Sequence, residues 1–297
     1  MIAFNVRAVA GPRLAAGFLA IALGFIWSGV TGTVQAADGK IPVPEKGQSR
    51  MIDSILAAGK LRSAVAVALP IVGQDPNTNE YFGVGVEIPK RVAEALGVEA
   101  EIVPAGWDVM IAGLQANRWD MVTGGLYATP TRLEVVNMVT YDINGFCYAV
   151  LKSNDKINAI ADLDKTDITI GTYTGTGTLQ SVSKAHPNPR YDTVIQGPGQ
   201  TLRLDDLLAE RFDAAPFDSP IAAVLEAKYP EVKIIPGDAA GCMKNPDVST
   251  PVGLAIPKDD TVYTEFVSSV IKQMQDSGEM AELFAKFTSP EYMKIAE

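Results

Sequence analysis

Apolar and polar positions alternate along this chain in a way that predicts strands and helices in turn. Met51 to Ala58 carries Ile52, Ile55 and Leu56 on one helical face and is stopped by Gly59. Ala64 to Leu69 is a continuous apolar run of strand length, the pattern of a buried parallel strand. Val72 to Glu80, with Gly73, Pro76 and interspersed Asp and Asn, reads as a loop. Val86 to Leu96 places apolar residues at 88, 92, 95 and 96 ahead of Gly97, an amphipathic helix with its stop. The reading continues with a strand at Glu101–Val103, a helix at Val109–Ala116 and a strand at Met121–Thr123. Beyond these come strands at Ile168–Thr172, Phe212–Phe217, Val232–Ile235 and Val252–Ile256, and helices at Leu202–Ala209 and Ile221–Ala227. Two C-terminal helices, with apolar positions at 266–274 and 280–287, break near Ser277-Gly278. Strands alternating with helices predict an α/β fold, helices covering a mainly parallel sheet.

One local pattern occurs twice. Arg118-Trp119-Asp120 opens a short strand that ends before Thr129-Pro130, and Arg211-Phe212-Asp213 opens one that ends before Ser219-Pro220. Each Ser/Thr-Pro pair suits a helix start, with the hydroxyl at the N-cap and proline in the first turn. Two similarly built lobes would produce such an echo.

Ahead of the periodic region, Arg7 and Arg13 precede an apolar run from Leu14 to Val30, followed by Val34-Gln35-Ala36. A charged stretch, an apolar stretch and a small-residue cleavage pattern make an export signal, with cleavage expected near Ala36. A membrane anchor is the competing reading, but the run is interrupted by Gly17, Gly24 and Ser28 and falls short of the ~20 residues of a good span. Residues 37–49 are polar with Pro42, Pro44 and Gly47 and read as a flexible leader.

Charge and composition narrow the function. With 25 Lys+Arg against 35 Asp+Glu the net charge is −10, and no basic cluster is present to neutralise phosphates, so no nucleic-acid partner is expected. One histidine and two cysteines exclude a Cys/His zinc site built by this chain alone. In an oxidising compartment Cys147 and Cys242 either pair or remain buried thiols. His186 lies in a His-Pro-Asn-Pro loop and reads as solvent-exposed, and no nucleophile–base pair stands out.

Candidate chemistry sits at the strand ends, where α/β sheets bind ligands. Arg132 falls in the first turn after Thr129-Pro130, where a cation opposes the helix dipole but converges with backbone N–H groups on an anion; pairing with Glu134 is the alternative. Gly124-Gly125 allows close backbone approach. Thr174 to Thr178 is a donor-rich turn at a helix start that lacks the Lys-Ser/Thr of a P-loop. Asp218 ends its strand and can take a cation, with Ser219 better placed as the cap. Trp107 and Tyr173 are aromatic residues at other strand ends.

Taken in order, these stretches resemble the family 3 extracellular solute-binding proteins of bacterial polar amino-acid transporters. The resemblance runs through Gly59-Lys60-Leu61-Arg62, Gly83-Val84-Gly85-Val86-Glu87-Ile88, Trp107-Asp108-Val109-Met110 and Trp119-Asp120-Met121-Val122. Thr129-Pro130-Thr131-Arg132, Phe212-Asp213-Ala214, Asp218-Ser219-Pro220 and Pro251-Val252-Gly253-Leu254 complete it, so it spans about Met51 to Phe287. It implies a periplasmic-binding-protein type 2 fold, two α/β lobes joined by two crossing strands that close on a ligand. The expected division is a signal peptide over 1–36, leader 37–49, first lobe 50–145 and 251–297, and second lobe 146–250.

The resemblance also assigns roles. Arg132 matches the arginine that grips an α-carboxylate, helped by the backbone of Gly125 and Tyr127 and by Thr176 and Gly177. Asp218 matches the carboxylate that receives the α-ammonium. Trp107 and Tyr173 match the residues that cover the ligand side chain, and Cys147 and Cys242 fall where a disulfide would staple the second lobe. The implied protein is a monomeric periplasmic component of an ABC uptake system, with no cofactor, binding an amino acid or amino-acid-like zwitterion and passing it to permease subunits on other chains. A cyclohexadienyl-dehydratase-like enzyme and a ligand-presenting sensory protein are the alternatives on this scaffold. The chain departs from the family pattern at Leu69-Pro70-Ile71-Val72, at Gly83-Val84-Gly85, and at Tyr127, where Ser or Thr is usual. Ala66 stands where binders of cationic side chains carry an acid, which disfavours Lys, Arg and ornithine.

Overall fold

The structure, a computed structural model, describes residues 40–196, 202–289 and 292. The expected signal peptide and its cleavage site lie outside the described residues, and among those described no helix is long and apolar enough to cross a membrane.

The chain begins with helix α1 (Arg50–Ala58), capped by the Ser49 hydroxyl, which accepts from the Ile52 N–H, and ended by Gly59 at φ +67°. Strand β1 (Lys60–Val65) follows, then the hairpin β2 (Gly73–Gln74) and β3 (Tyr81–Phe82), helix α2 (Val84–Leu96), strand β4 (Glu99–Pro104), helix α3 (Met110–Gln115), strand β5 (Met121–Tyr127) and helix α4 (Pro130–Val135). β1 pairs in parallel with β4 on one edge and β5 on the other. Strand β1 therefore starts four residues before the predicted run and stops at Val65, because the chain folds back through the Ala68–Val72 bridge ahead of β2. β5 outlasts its predicted Met121–Thr123 core and carries Gly124 to Tyr127 to the strand end.

Strand β6 (Val136–Leu151), 16 residues long, then leaves this half of the molecule. The second half holds strand β7 (Thr169–Tyr173), helix α5 (Gly177–Ala185), strand β8 (Arg190–Val194), helix α6 (Leu204–Leu208), strand β9 (Ala215–Asp218), helix α7 (Ala222–Lys228), strand β10 (Val232–Ile235) and helix α8 (Ala239–Lys244). Strand β11 (Val248–Pro257) returns, and helices α9 (Thr261–Asp276) and α10 (Glu279–Phe287) pack back on the first half. β6 and β11 run antiparallel from Val136↔Pro257 to Phe146↔Val248. At one end β11 pairs β5, and at the other β6 pairs β9 and β10, so one strand pair belongs to the sheets of both halves. Among the described residues the parallel strand pairs are β1–β4, β1–β5 and β7–β8, with one further parallel bridge between Ile170 and Ala214.

The sequence echo has a structural basis. Asp120 accepts the Arg62 backbone N–H at 2.8 Å and its own N–H donates to the Arg62 carbonyl. Asp213 does the same to Thr169, at 2.9 Å in both directions. Each aspartate pins the start of a strand, β1 or β7, and each preceding aromatic ring fills a space beside a glycine: Trp119 on Gly113, Phe212 on Gly171. Arg211 to Asp213 make this pin rather than strand, so β9 begins only at Ala215.

Two readings need correction. His186 is not exposed: it is buried, with Nε2 2.6 Å from Asp247 Oδ2, which also accepts from the Tyr148 hydroxyl at 2.7 Å. A charge-assisted bond to a desolvated carboxylate, with the Tyr148 ring edge-on at 5.8 Å, draws the ring inward against β6. Ser219 does not cap a helix through its side chain; it lies in a single 3₁₀ turn and its hydroxyl donates to Asn144 Oδ1 at 3.3 Å.

Cys147 and Cys242 form a disulfide, so the free-thiol alternative is excluded. It joins β6 to α8 across 95 residues of sequence. A loop of that size costs the unfolded chain much entropy when closed, and native disulfides of this kind contribute about 2–5 kcal/mol. Reduction, or Cys147→Ser with Cys242→Ser, is expected to lower the melting temperature by several degrees; a scan in which the reduced and oxidised proteins melt together would contradict it.

Candidate ligand-binding site

A cavity of about 310 Å³ lies between the two halves, beyond the ends of β5, β7 and β9. All eight residues singled out from the sequence line it: Arg132, Asp218, Gly125, Tyr127, Thr176, Gly177, Trp107 and Tyr173.

Arg132 reaches the cavity because Thr129 and Pro130 open α4: the Thr129 hydroxyl accepts from the Arg132 N–H at 3.4 Å. The residue is 8% exposed. The Arg132 Nη1 donates to the Tyr127 carbonyl at 3.0 Å, and among the described residues no carboxylate pairs with it, Glu134 included. A buried cation normally demands an anion. Burial without one pulls the guanidinium down to about 10.

Asp218 faces the same cavity from the end of β9. Desolvation pushes its carboxyl up to about 6, opposed by the hydrogen bond it accepts from the Tyr127 hydroxyl. No ion pair joins Arg132 to Asp218. The cavity thus presents a cation short of an anion and an acid short of a cation.

The remaining wall is shaped by backbone. Gly125 holds φ +80°, and a Cβ there would meet Ile71 at 3.2 Å. A Cβ on Gly177 would lie 2.9 Å from Tyr127 Cβ and 3.1 Å from Arg132 Nη1, so α5 of the second half abuts the first half with no room for a methyl. The Thr176 hydroxyl is committed to its own turn, accepting from the Leu179 N–H at 3.1 Å and donating to the Tyr173 carbonyl at 2.8 Å. What this turn offers a ligand is backbone N–H at the start of α5, on the positive end of the helix. Trp107 is half-buried and Tyr173 buried, the former on the first half and the latter on the second.

Three lining features escaped the sequence. Asn144, in β6, donates to the Tyr127 hydroxyl at 2.9 Å. Arg203 stacks over the Phe212 ring at 4.8 Å and is neutralised by Asp192 and Asp206. Leu69 to Ile71 supply apolar wall. Position in the linear chain gave no signal for Asn144 or Arg203, since neither ends a predicted strand. Among the described residues no cluster of three metal-ligating side chains is present.

Comparison with known proteins places this geometry in context. The profile of the bacterial extracellular solute-binding proteins, family 3, matches residues 61–290. The L-cystine-binding protein TcyJ of Escherichia coli is 24% identical over 245 residues, 82% of this chain and 88% of that protein. The arginine-binding extracellular protein ArtP of Bacillus subtilis is 25% identical over 219 residues, 72% of this chain and 80% of that one. Among solved structures, the ancestral amino acid-binding protein AncCDT-1, a precursor of cyclohexadienyl dehydratase, superposes with a TM-score of 0.67 at 29% identity, covering 80% of this chain and 99% of that one. A mutant of ArgBP from T. maritima gives 0.65 at 28%, covering 80% and 98%.

The raised carboxyl of Asp218 makes stability depend on pH. Because its folded pKa of about 6 exceeds the unfolded value of 3.8, the folded state holds the proton longer, so stability falls as pH rises from about 4 through 6. Asp218→Asn removes that loss while keeping an acceptor for Tyr127. The variant is expected to be more stable than the parent at pH 7 by up to about 3 kcal/mol, read as a higher melting temperature, with the gap shrinking toward pH 4. A gap independent of pH would contradict the assignment.

Proposed function

The chain belongs to the bacterial extracellular solute-binding proteins, family 3, and from that premise we propose that it captures an α-amino acid or amino-acid-like zwitterion between its two halves. The observation that carries this reading is the unpaired Arg132 guanidinium, buried in the wall of a cavity that also receives Asp218. A carboxylate laid on Arg132 supplies the missing anion, and a charge-assisted bond of this kind contributes about 1.5–3 kcal/mol. The carbonyl of Tyr127 orients the guanidinium, and backbone N–H groups near Gly125 and Gly177 complete the cradle. An ammonium at Asp218 favours the ionised carboxylate and reverses the cost of its burial. Trp107 and Tyr173 cover the remainder of the ligand from opposite sides.

In this account the first lobe comprises 50–145 and 251–297, the second 146–250, and the β6–β11 pair is the hinge on which they close. The chain is exported, cleaved near Ala36, and works in the periplasm as a monomer that delivers its ligand to ABC permease subunits on other chains. The names of the relatives, which bind cystine and arginine, support amino-acid uptake as the setting. Similarity to a precursor of a dehydratase gives the test a second arm.

The test is a thermal-shift panel on protein unfolded and refolded to strip carried ligand. The panel holds the amino acids, opines, ectoines, prephenate and arogenate. A ligand at 100 times its Kd contributes ~2.7 kcal/mol, a rise of several degrees. One class of zwitterion is expected to shift the parent, and Arg132→Ala to abolish the shift. Turnover of prephenate or arogenate would instead make the protein an enzyme, and an unchanged shift in Arg132→Ala would remove the carboxylate assignment.

A further inference from the structure

Tyr127 closes β5 of the first half, yet its hydroxyl donates to Asp218 at the end of β9 in the second. The same oxygen accepts from Asn144 Nδ2 at 2.9 Å, and Asn144 belongs to β6, the strand that passes from one half to the other. Asn144 Oδ1 in turn accepts from the Gly145 N–H at 3.0 Å and from the Ser219 hydroxyl at 3.3 Å. Ser219 follows Asp218 directly. The hydrogen bonds therefore form a closed ring, Tyr127 to Asp218, along the chain to Ser219, then to Asn144 and back to Tyr127. Its members come from the first half, the second half and the strand between them.

The ring is placed by packing as well. The Tyr127 side chain is buried and meets Phe146 edge-on, with centroids 4.8 Å apart at 60°. Phe146 is two residues beyond Asn144 on the same strand, so β6 fixes both the ring and the hydroxyl of Tyr127. Beside it, Gly177 leaves no gap between the halves.

We propose that Tyr127, held by Asn144, is a positioning residue that ties the two halves together through Asp218 and aims the Asp218 carboxylate at the cavity. This inference rests on the solute-binding reading only for its consequence, that a ligand nitrogen meets an acceptor already oriented. The tie itself consists of protein groups alone, so it favours the closed arrangement whatever the ligand. A ligand then adds its contacts to a cleft that the chain's own hydroxyl has biased toward closure, and the ordering cost of capture falls accordingly.

The measurement is a distance distribution by pulsed electron spin resonance on refolded protein without added ligand. Spin labels are carried on Ala57→Cys in α1 and Ala227→Cys in α7, both exposed and on opposite halves. Tyr127→Phe keeps the ring and its Phe146 contact while deleting both hydroxyl bonds. It is expected to lower the ratio of short to long distances about fivefold or more, the worth of one or two hydrogen bonds. Asn144→Ala, which frees the hydroxyl without removing it, is expected to shift the ratio in the same direction by less. Distributions of both variants identical to that of the parent would overturn the proposal. Because no ligand is added, a null result in the thermal-shift panel leaves this outcome unaffected, and the two readings fail separately.

Discussion

A guanidinium buried without an acid is the constraint around which this molecule is arranged. Arg132 is held by one turn of α4 and one carbonyl, and everything that shields it also builds the cavity: the end of β5, the start of α5 and the Gly177 contact. The positive charge opposes its own burial, which is why the group titrates near 10. Asp218 opposes its burial in the same way, with the opposite sign. Neither group is ion-paired within the protein, and both line the same cavity, which is the basis for proposing a ligand that carries both charges. Such sites cost stability in the free protein, as functional sites commonly do.

That cost is offset by rigid attachment elsewhere. Asp260 gathers the Ser49 hydroxyl, the Met51 N–H and the Tyr263 N–H, locking the start of α1 to the start of α9. The Cys147–Cys242 bond fastens α8 to β6, and His186, Asp247 and Tyr148 fasten the end of α5 to the same strand. β6 is the common anchor: it carries the disulfide, the histidine network and Asn144, and shares its edges with both halves. A movement of one half against the other must pass through this strand and β11.

Much of this was legible in the sequence because strand ends and helix starts have chemical signatures. Thr129-Pro130 and Thr176-Gly177 mark helix starts, Gly124-Gly125 lies near the end of β5, and Arg132, Tyr127 and Tyr173 beside them line one cavity. Helices α1 and α2 follow from 3.6-residue periodicity and their glycine stops, and α9 and α10 from the same periodicity and the Ser277-Gly278 break between them. β6 is not legible as one strand because Thr140, Asp142 and Asn144 interrupt its apolar pattern ahead of the buried Phe146–Val150 stretch; pairing with β11 carries it extended through the interruption. His186 was misread because its partner Asp247 is 61 positions away, and the Tyr127–Asp218 bond joins residues 91 apart. Local pattern cannot report such contacts, which depend on how the sheets are joined.

The central claim is that the cleft recognises both charges of one ligand. Calorimetric titration with the strongest amino acid of the panel, its decarboxylated amine and its hydroxy-acid analogue tests it most directly. Loss of a charge-assisted partner from a buried site costs about 2–3 kcal/mol or more, so each analogue is predicted to bind at least about 30-fold more weakly than the amino acid. Binding of either analogue as tightly as the parent amino acid would contradict the account.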